Sequence, residues 1–349
     1  MSRKLGFGIV GCGIIAAWHR EAISRSEGAE LVACCDIEEP KGRKFAEESG
    51  NIAFYKDYND LVRDPRVDVV SICTPSGLHG EVAIAAAENG KHVLCEKPIE
   101  ITREKIDAMI SACRRHGVKL GCIFQRRTHK ASIMAREAIQ SGLLGKMVLG
   151  DVYLKYYRSQ AYYDSAGWRG TWELDGGGAL MNQGVHGIDL ALWIMGDVKS
   201  VYAKADHVVR DIEVEDTAVA ILEYENGAWG VLEGTTSVNP GESTRISLHG
   251  KKGTIVVEDE RIAKWAVAEG EDELAKEQEV HVEGEKSGAA VDPKAIGVAG
   301  HLFLVNDLVE AIRQDRDPYI TGESARKAVD LVLSIYESAR TGRKVKVRH

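Results

Sequence analysis

Four stretches of the sequence hold residue types that could do chemistry at the spacing they have. The first, Gly11-Cys12-Gly13-Ile14-Ile15-Ala16, fits G-x-G-x-x-G/A. Glycines there let backbone approach a pyrophosphate, and a following helix would aim its first amides at the charge. Asp36 ends the next apolar run, where a carboxylate can accept from both ribose hydroxyls and repels a 2′-phosphate. The pair points to a dinucleotide, NAD in preference to NADP, with Lys41 and Arg43 keeping NADP open. The second stretch, Cys73-Thr74-Pro75-Ser76-Gly77-Leu78-His79, falls where a fourth strand should give way to a helix. Ligands bind along that edge of such a sheet, which makes Thr74, Pro75 and His79 candidates. The third is Cys95-Glu96-Lys97-Pro98, at the end of a fifth strand. Lys97 would project into the same cleft, its pKa lowered by burial and raised by Glu96. In the fourth, Gly176–Gly178 open a helix on which Asn182, His186, Asp189 and Trp193 recur at i, i+4, i+7 and i+11. The plainer reading is a core histidine satisfied by Asp189. A whole polar stripe is costly to bury without purpose, which favours acid–base work. No further Cys/His cluster accompanies it, so no metal site is expected.

Those stretches need elements to hold them. Apolar runs at 5–10, 30–35, 67–74, 92–95 and 119–124 alternate with helical patterns. Ile106, Met109, Ile110 and Cys113 share one helix face, with Thr102 as N-cap and Gly117 past the end. This alternation predicts a doubly wound parallel sheet over residues 1–124. The texture then changes. Asp216–Tyr224 and Trp229–Thr236 flank Asn226-Gly227, and Arg245–His249 and Thr254–Glu258 flank a Gly-Lys-Lys-Gly turn. These are antiparallel hairpin signals, so residues 125–349 read as an α+β domain with a mostly antiparallel sheet. The acidic stretch 269–288 reads as an exposed loop or edge. Two helices close the chain, and the last, 323–341, is expected to pack back on the first domain.

Composition narrows the function classes. The chain has 349 residues, a formal charge of −8 and a pI near 5.8. Nucleic acid and membrane surfaces are anionic, so neither is an expected partner. No apolar run approaches the roughly 20 residues needed to span a bilayer. The N-terminus lacks the pattern of a secretory signal. All seven cysteines lie within the first 122 residues without CxxC spacing and read as small buried thiols. A cytoplasmic protein is expected.

Taken together, the four motifs resemble the Gfo/Idh/MocA family of nicotinamide-dependent sugar and cyclitol oxidoreductases. The resemblance spans the chain and extends to Ile123-Phe124-Gln125-Arg126-Arg127, Gly167-Trp168-Arg169-Gly170-Thr171-Trp172 and Gly300-His301. It implies a Rossmann domain, then an α+β domain with a large open-faced sheet through which members form dimers or tetramers. It implies NAD contacts from Gly11, Gly13, Ile14, Ile15, Asp36, Thr74, Pro75, His79, Glu96, Lys97, Gln125, Trp168 and Arg169. Tyr162, Trp168, Arg169, Asn182, His186, Asp189 and His301 would line the substrate side with Lys97. The family's catalytic lysine falls on Lys97 and its histidine on His186. Its inositol branch has an aspartate where this chain has Asn182.

The expected reaction moves a hydride between a carbohydrate CH–OH and the nicotinamide. His186 would take the hydroxyl proton, its tautomer set by Asp189, and Lys97 would hydrogen-bond the oxygen as charge develops. Asn182 would orient substrate or His186 without titrating. Two rivals stand beside this. One is a redox-neutral NAD-dependent glycoside hydrolase. The other is a catalytically silent dinucleotide sensor, which the presence of both Lys97 and His186 disfavours.

Overall fold

The computed structural model describes residues 3–270, 273–280, 282 and 297–348. The helices are α1 (Ile14–Arg25), α2 (Glu39–Glu48), α3 (Tyr58–Leu61), α4 (His79–Glu88), α5 (Arg103–Arg115), α6 (Lys130–Gln140), α7 (Gln160–Asp164), α8 (Val185–Met195), α9 (Ala299–Gln314) and α10 (Gly322–Thr341). The chain divides into two compact units, Met1–Gln125 with Val298–Arg326, and Arg126–Gly297 with Lys327–His349.

In the first unit, β1 (Leu5–Val10), β2 (Ala29–Cys35), β3 (Ala53–Tyr55), β4 (Val69–Ile72), β5 (His92–Cys95) and β6 (Leu120–Cys122) make a parallel sheet. Its order is β3-β2-β1-β4-β5-β6. Such strands read as unbroken apolar runs because helices cover both faces, and β1 and β4 are buried almost throughout. Strand order reverses between β1 and β4, so the loops after both open at the switch point where ligands bind. α5 begins as its sequence requires: the Thr102 side chain accepts from the Lys105 amide at 3.3 Å, and Ile106, Met109, Ile110 and Cys113 are buried.

In the second unit, β7 (Met147–Lys155), β8 (Val198–Asp206), β9 (Thr217–Tyr224), β10 (Trp229–Thr235), β11 (Arg245–Gly250), β12 (Gly253–Glu258), β13 (Arg261–Val267), β14 (Lys276–Glu277) and β15 (Val345–Lys346) form one sheet. The order is β14-β13-β12-β11-β7-β10-β9-β8-β15, antiparallel except where β10 runs parallel to β7. Both expected hairpins form, β9–β10 around Asn226-Gly227 and β11–β12 around Lys251-Lys252. α8 lies on this sheet closely enough that a Cβ on Gly187 would sit 2.3 Å from Leu154. On the sheet's strands Tyr202, Val219, Ile221 and Trp229 are exposed, whereas Ala218, Ala220 and Leu222 are buried. Of the acidic stretch 269–288, β14 is an exposed edge; 271–272, 281 and 283–288 lie outside the described residues.

The helix grouped with the first unit is not the expected one. α9 belongs there, where Val309 packs so tightly on Gly28 that a Cβ would meet it at 2.7 Å. Only Gly322–Arg326 of α10 join it. From Lys327 onward α10 belongs to the second unit, because its apolar face of Ala328, Leu331, Val332 and Ile335 is buried there and Ser338 Oγ accepts from the Ala203 amide at 3.0 Å.

Candidate active site

In the first unit, β1 runs into a turn at Gly11, whose φ is 91°. A Cβ there would lie 2.6 Å from the Cys73 carbonyl oxygen, so the β1 and β4 loops can approach only with glycine at this position. Gly13 starts α1 with no side-chain cap, and no acidic residue lies in the first turn. A Cβ on Gly13 would meet nothing within 4 Å, and Ile14 is 57% exposed, with Ile15 half-buried behind it. The first amides of α1 are thus open to an anion. Thr74 Oγ1 is buried without a hydrogen-bond partner beside the same turn, with Pro75 next to it. An orphaned hydroxyl, an uncapped helix start and open space together fit a bound dinucleotide.

Asp36 is more occupied than the sequence suggested. Its Oδ2 accepts from the Cys12 amide at 2.8 Å and meets Lys41 Nζ at 3.2 Å, while Oδ1 accepts from the Glu38 amide at 2.9 Å. A carboxylate offers about four lone-pair directions, which leaves room for a ribose. Arg43 turns away to Glu39 at 2.8 Å.

Three of the expected ligand residues make internal hydrogen bonds. His79 is buried, with Nδ1 2.8 Å from the Pro98 carbonyl and Nε2 3.0 Å from the Thr74 carbonyl, so it ties the second and third stretches together. The Glu96 carboxylate is buried against His19 Nε2 at 2.8 Å. His301, on α9, is buried against the same carboxylate at 3.3 Å. All three are buried, and each finds its polar partners inside the first unit. Lys97 itself is half-buried, followed by a cis bond to Pro98. Gln125 is buried with its Cβ against Gly300.

The fourth stretch lies in the second unit and is not one continuous α-helix. Ala179–Gly184 form a π-helical turn, and α8 starts only at Val185. Widening the turn breaks the 3.6 periodicity on which the stripe rested. His186 therefore stands in the first turn of α8, and Asn182 in the π turn. Asp189 goes elsewhere: it is buried in a two-bond ion pair with Arg127 and does not set the His186 tautomer. Burial pushes the Asp189 carboxyl up, against the pull of Arg127. Trp193 packs beneath the Arg136 guanidinium at 4.3 Å.

Asn182 belongs to a different network. Its amide donates to the buried Asp175, its oxygen accepts from Gln183 at 2.7 Å, and Gln183 donates to the Tyr162 hydroxyl at 2.8 Å. Arg169 also donates to that hydroxyl, and its guanidinium lies over the rings of Tyr162 at 4.3 Å and Trp168 at 4.6 Å. One face of the Trp168 indole is thus covered by Arg169. Arg158, buried and bonded to Gln183 at 3.1 Å, completes the cluster. The structure brings Asn182, Tyr162, Trp168 and Arg169 together.

Sequence reasoning missed the residues that hold this turn. Glu215 is buried and accepts from the Gly178 amide at 3.0 Å, the Leu180 amide at 2.8 Å and the Tyr336 hydroxyl at 2.8 Å. A Cβ on Gly178 would lie 2.0 Å from the Glu215 carbonyl oxygen, which is why the glycine run is needed. Glu215 carried no signal beyond its place in an acidic run. Asp175, directly before the glycines, and His19, a polar residue on the buried face of α1, were legible signals that went unread.

Models of two known domains match this chain: the NAD-binding Rossmann domain of the oxidoreductase family GFO/IDH/MocA over residues 5–124, and that family's C-terminal domain over 133–256. The chain belongs to the Gfo/Idh/MocA family. It is an NAD-dependent oxidoreductase. Myo-inositol 2-dehydrogenase of Thermotoga maritima is 32% identical over 73% of this chain and 75% of its own length. D-glucoside 3-dehydrogenase of Escherichia coli is 30% identical over 71% and 74%. The WlbA dehydrogenase of Bordetella pertussis, solved with NADH and UDP-GlcNAcA, superposes with a TM-score of 0.87 at 33% identity, covering 99% of this chain and all of that one. Among the described residues no helix is long and apolar enough to cross a membrane.

Proposed function

We propose that this Gfo/Idh/MocA protein moves a hydride between NAD and a CH–OH group of a sugar, sugar derivative or cyclitol, with Lys97 and His186 as its catalytic residues. The observation that carries the reading is the uncapped start of α1 beside the orphaned Thr74 hydroxyl, on the sheet edge from which the Lys97 turn also leaves. The substrate class follows the relatives, which act on inositol, on glucosides and, for WlbA, hold a nucleotide sugar acid. Bound NAD supplies the hydride acceptor. His186 takes the proton of the substrate hydroxyl, so it must enter the reaction as neutral imidazole. Lys97 donates a hydrogen bond to the same oxygen, where negative charge develops. Asn182, fixed by Asp175 and Gln183, offers an amide that does not titrate. Asp36 keeps lone pairs for the adenosine ribose and opposes a 2′-phosphate. Tyr162, Trp168 and Arg169 supply hydrogen bonds and ring surface for a polar ligand.

The test is a screen of cyclitols, sugars, glycosides and nucleotide sugars for reduced-nicotinamide absorbance, with NAD and NADP in parallel. Turnover with NAD on at least one class supports the reading. Absence of turnover across all four, with NADH bound, overturns it. The exposed Tyr202, Val219, Ile221 and Trp229 support assembly as a homodimer or homotetramer through the sheet; a monomer in light scattering contradicts this. Seven buried thiols support a cytoplasmic setting.

A further inference from the structure

Glu96, the residue before Lys97, is bonded on several sides within the first unit. Its Oε1 accepts from His19 Nε2 at 2.8 Å and His301 Nε2 at 3.3 Å. Its Oε2 accepts from the backbone amide of Lys97 at 3.1 Å. The other nitrogen of His19 lies 2.6 Å from Ser71 Oγ, and the two imidazoles meet edge to face at 5.4 Å. His19 and Ser71 are fully enclosed. One proton arrangement satisfies these bonds: the Ser71 hydroxyl donates to Nδ1 of His19, and both histidines donate Nε2–H to the carboxylate. Nδ1 of His301 is buried without a partner, as suits a lone pair better than an N–H. Burial holds His19 neutral. Burial also opposes ionisation of Glu96, but the two imidazole bonds outweigh it and keep the group well below the usual carboxylate range.

Two imidazoles and a carboxylate with ligand atoms within 4.8 Å of one another could also hold a metal. The His19–Glu96 distance favours a hydrogen bond. Ligands about 2.0–2.1 Å from a tetrahedral zinc sit roughly 3.3 Å apart, whereas His19 Nε2 and Glu96 Oε1 are 2.8 Å apart.

The cluster joins three elements. His19 comes from α1, the helix whose start faces the dinucleotide turn; Glu96 ends β5; His301 comes from α9. We propose that Glu96, held by His19 and His301, is a positioning residue that fixes the backbone of Lys97 relative to α1, and with it the direction in which the ammonium leaves the turn. The claim rests on the reading of Lys97 as catalytic. It assigns Glu96 no contact with substrate and no proton transfer.

The experiment compares Glu96→Ala, Glu96→Gln and His301→Gln with the wild type, using the full chain. Turnover is divided by the number of NADH-binding sites found by fluorescence titration, so that unfolded protein does not count. A displacement of about 1 Å at a catalytic group can cost 10²-fold, and Glu96→Ala should approach that loss in kcat per site with NADH affinity within threefold of normal. Glu96→Gln, which keeps an oxygen for the Lys97 amide, should recover most of it. Exchange of the Lys97 amide for deuterium should quicken at least tenfold in Glu96→Ala. Wild-type kcat per site in Glu96→Ala overturns the proposal, as does loss of NADH binding in step with turnover. So does one equivalent of metal in the wild type that His301→Gln loses. If Glu96→Ala does not fold, unchanged kcat per site in His301→Gln, which removes one of the two imidazoles that hold Glu96, overturns it. A wild type inert toward every carbohydrate defeats the functional reading alone; unchanged Lys97 exchange in Glu96→Ala then defeats the positioning claim separately.

Discussion

Each unit pins a turn at or just before its candidate catalytic group with a buried glutamate, Glu96 before Lys97 and Glu215 against the π turn that leads into His186, and the two glutamates differ in kind. Glu96 and Glu215 are 5% and 3% exposed, so burial penalises ionisation of both. Glu96 is met by two imidazoles and stays well below the ordinary range. Glu215 is met by two backbone amides and a phenol; burial dominates and its pKa rises to about 7. Tyr336, its phenol partner, is pushed well above its ordinary value by burial and by the adjacent carboxylate. Burial penalises the charge in both, and the kind of group that faces each carboxylate decides which protonation state survives it. The first unit therefore holds its turn with a fixed charge. The second holds its turn with a group that changes charge near neutrality.

The largest expected effect tests whether both turns serve one reaction. Lys97→Ala and His186→Ala should each lower kcat by roughly a hundredfold or more while NADH binding stays near normal, since acid–base groups typically contribute 10²–10⁴-fold. Steady-state rates and fluorescence titration check this. Near-normal turnover in one variant would remove that unit's turn from the chemistry and end the comparison.

Next in size is the titration of Glu215. Its folded pKa of about 7 exceeds the ordinary 4.5, so the folded state holds the proton more tightly than the unfolded chain. Stability from this group is present below about pH 4.5 and is lost as pH rises through 7. At 1.36 kcal/mol per pKa unit, the loss is on the order of 3 kcal/mol. Glu215→Gln cannot titrate. The stability advantage of wild type over Glu215→Gln should therefore shrink between pH 4.5 and 7 in denaturant titrations. A constant difference would mean that Glu215 is ionised throughout, and the contrast with Glu96 would fail.

What the sequence disclosed about this molecule follows the same division. Alternating apolar runs announced the parallel sheet because its central strands β1 and β4 are buried on both faces, and Gly11 and Asp36 were legible because nucleotide turns need those types at that spacing. The hairpin at Asn226-Gly227 was legible for a similarly local reason. Asp189 misled because an α-helical period was carried across Gly176–Gly184, where a π turn intervenes. Glu215 and Tyr336 stayed hidden because their partners are more than 30 residues away and are backbone amides or a carboxylate, which leave no pattern. The contact between His301 and Glu96 was not legible either, because the two residues are far apart in the chain and meet only in the buried interior of the first unit.

A third carboxylate sharpens the comparison from the ligand side. Asp36 already spends one oxygen on the Cys12 amide, so Asp36→Ala would loosen the glycine turn as well as remove charge. Asp36→Asn keeps an acceptor for that amide. It should weaken NAD binding about tenfold, since a hydrogen bond to a charged group contributes about 1.5 kcal/mol or more. It should also strengthen NADP binding, because Lys41 loses its 3.2 Å partner and can face a phosphate. Dissociation constants for both cofactors test this. Equal losses for NAD and NADP would mean that Asp36 supports the turn without reading the ribose.

The smallest effect concerns Asn182, where the family's inositol branch has aspartate. In this chain Asn182 donates to the buried Asp175, so the two side chains meet as donor and acceptor. Asn182→Asp would set two carboxylates against each other, and like charges at hydrogen-bond distance cannot both ionise cheaply. The pair should keep a shared proton to a pH above the ordinary carboxylate value. A group whose folded pKa is raised contributes stability at low pH that is lost as pH rises. The variant should thus lie close to wild type at pH 5 and fall behind it at pH 8, by about 1–2 kcal/mol for one pKa unit or slightly more. Thermal midpoints of both proteins at the two pH values decide it. A gap that does not widen would mean that residue 182 does not face Asp175, and that the turn held by Glu215 presents its amide elsewhere. A gap that narrows as pH rises would reverse the electrostatic sign and place a cation, such as Arg158 or Arg169, in control of that position.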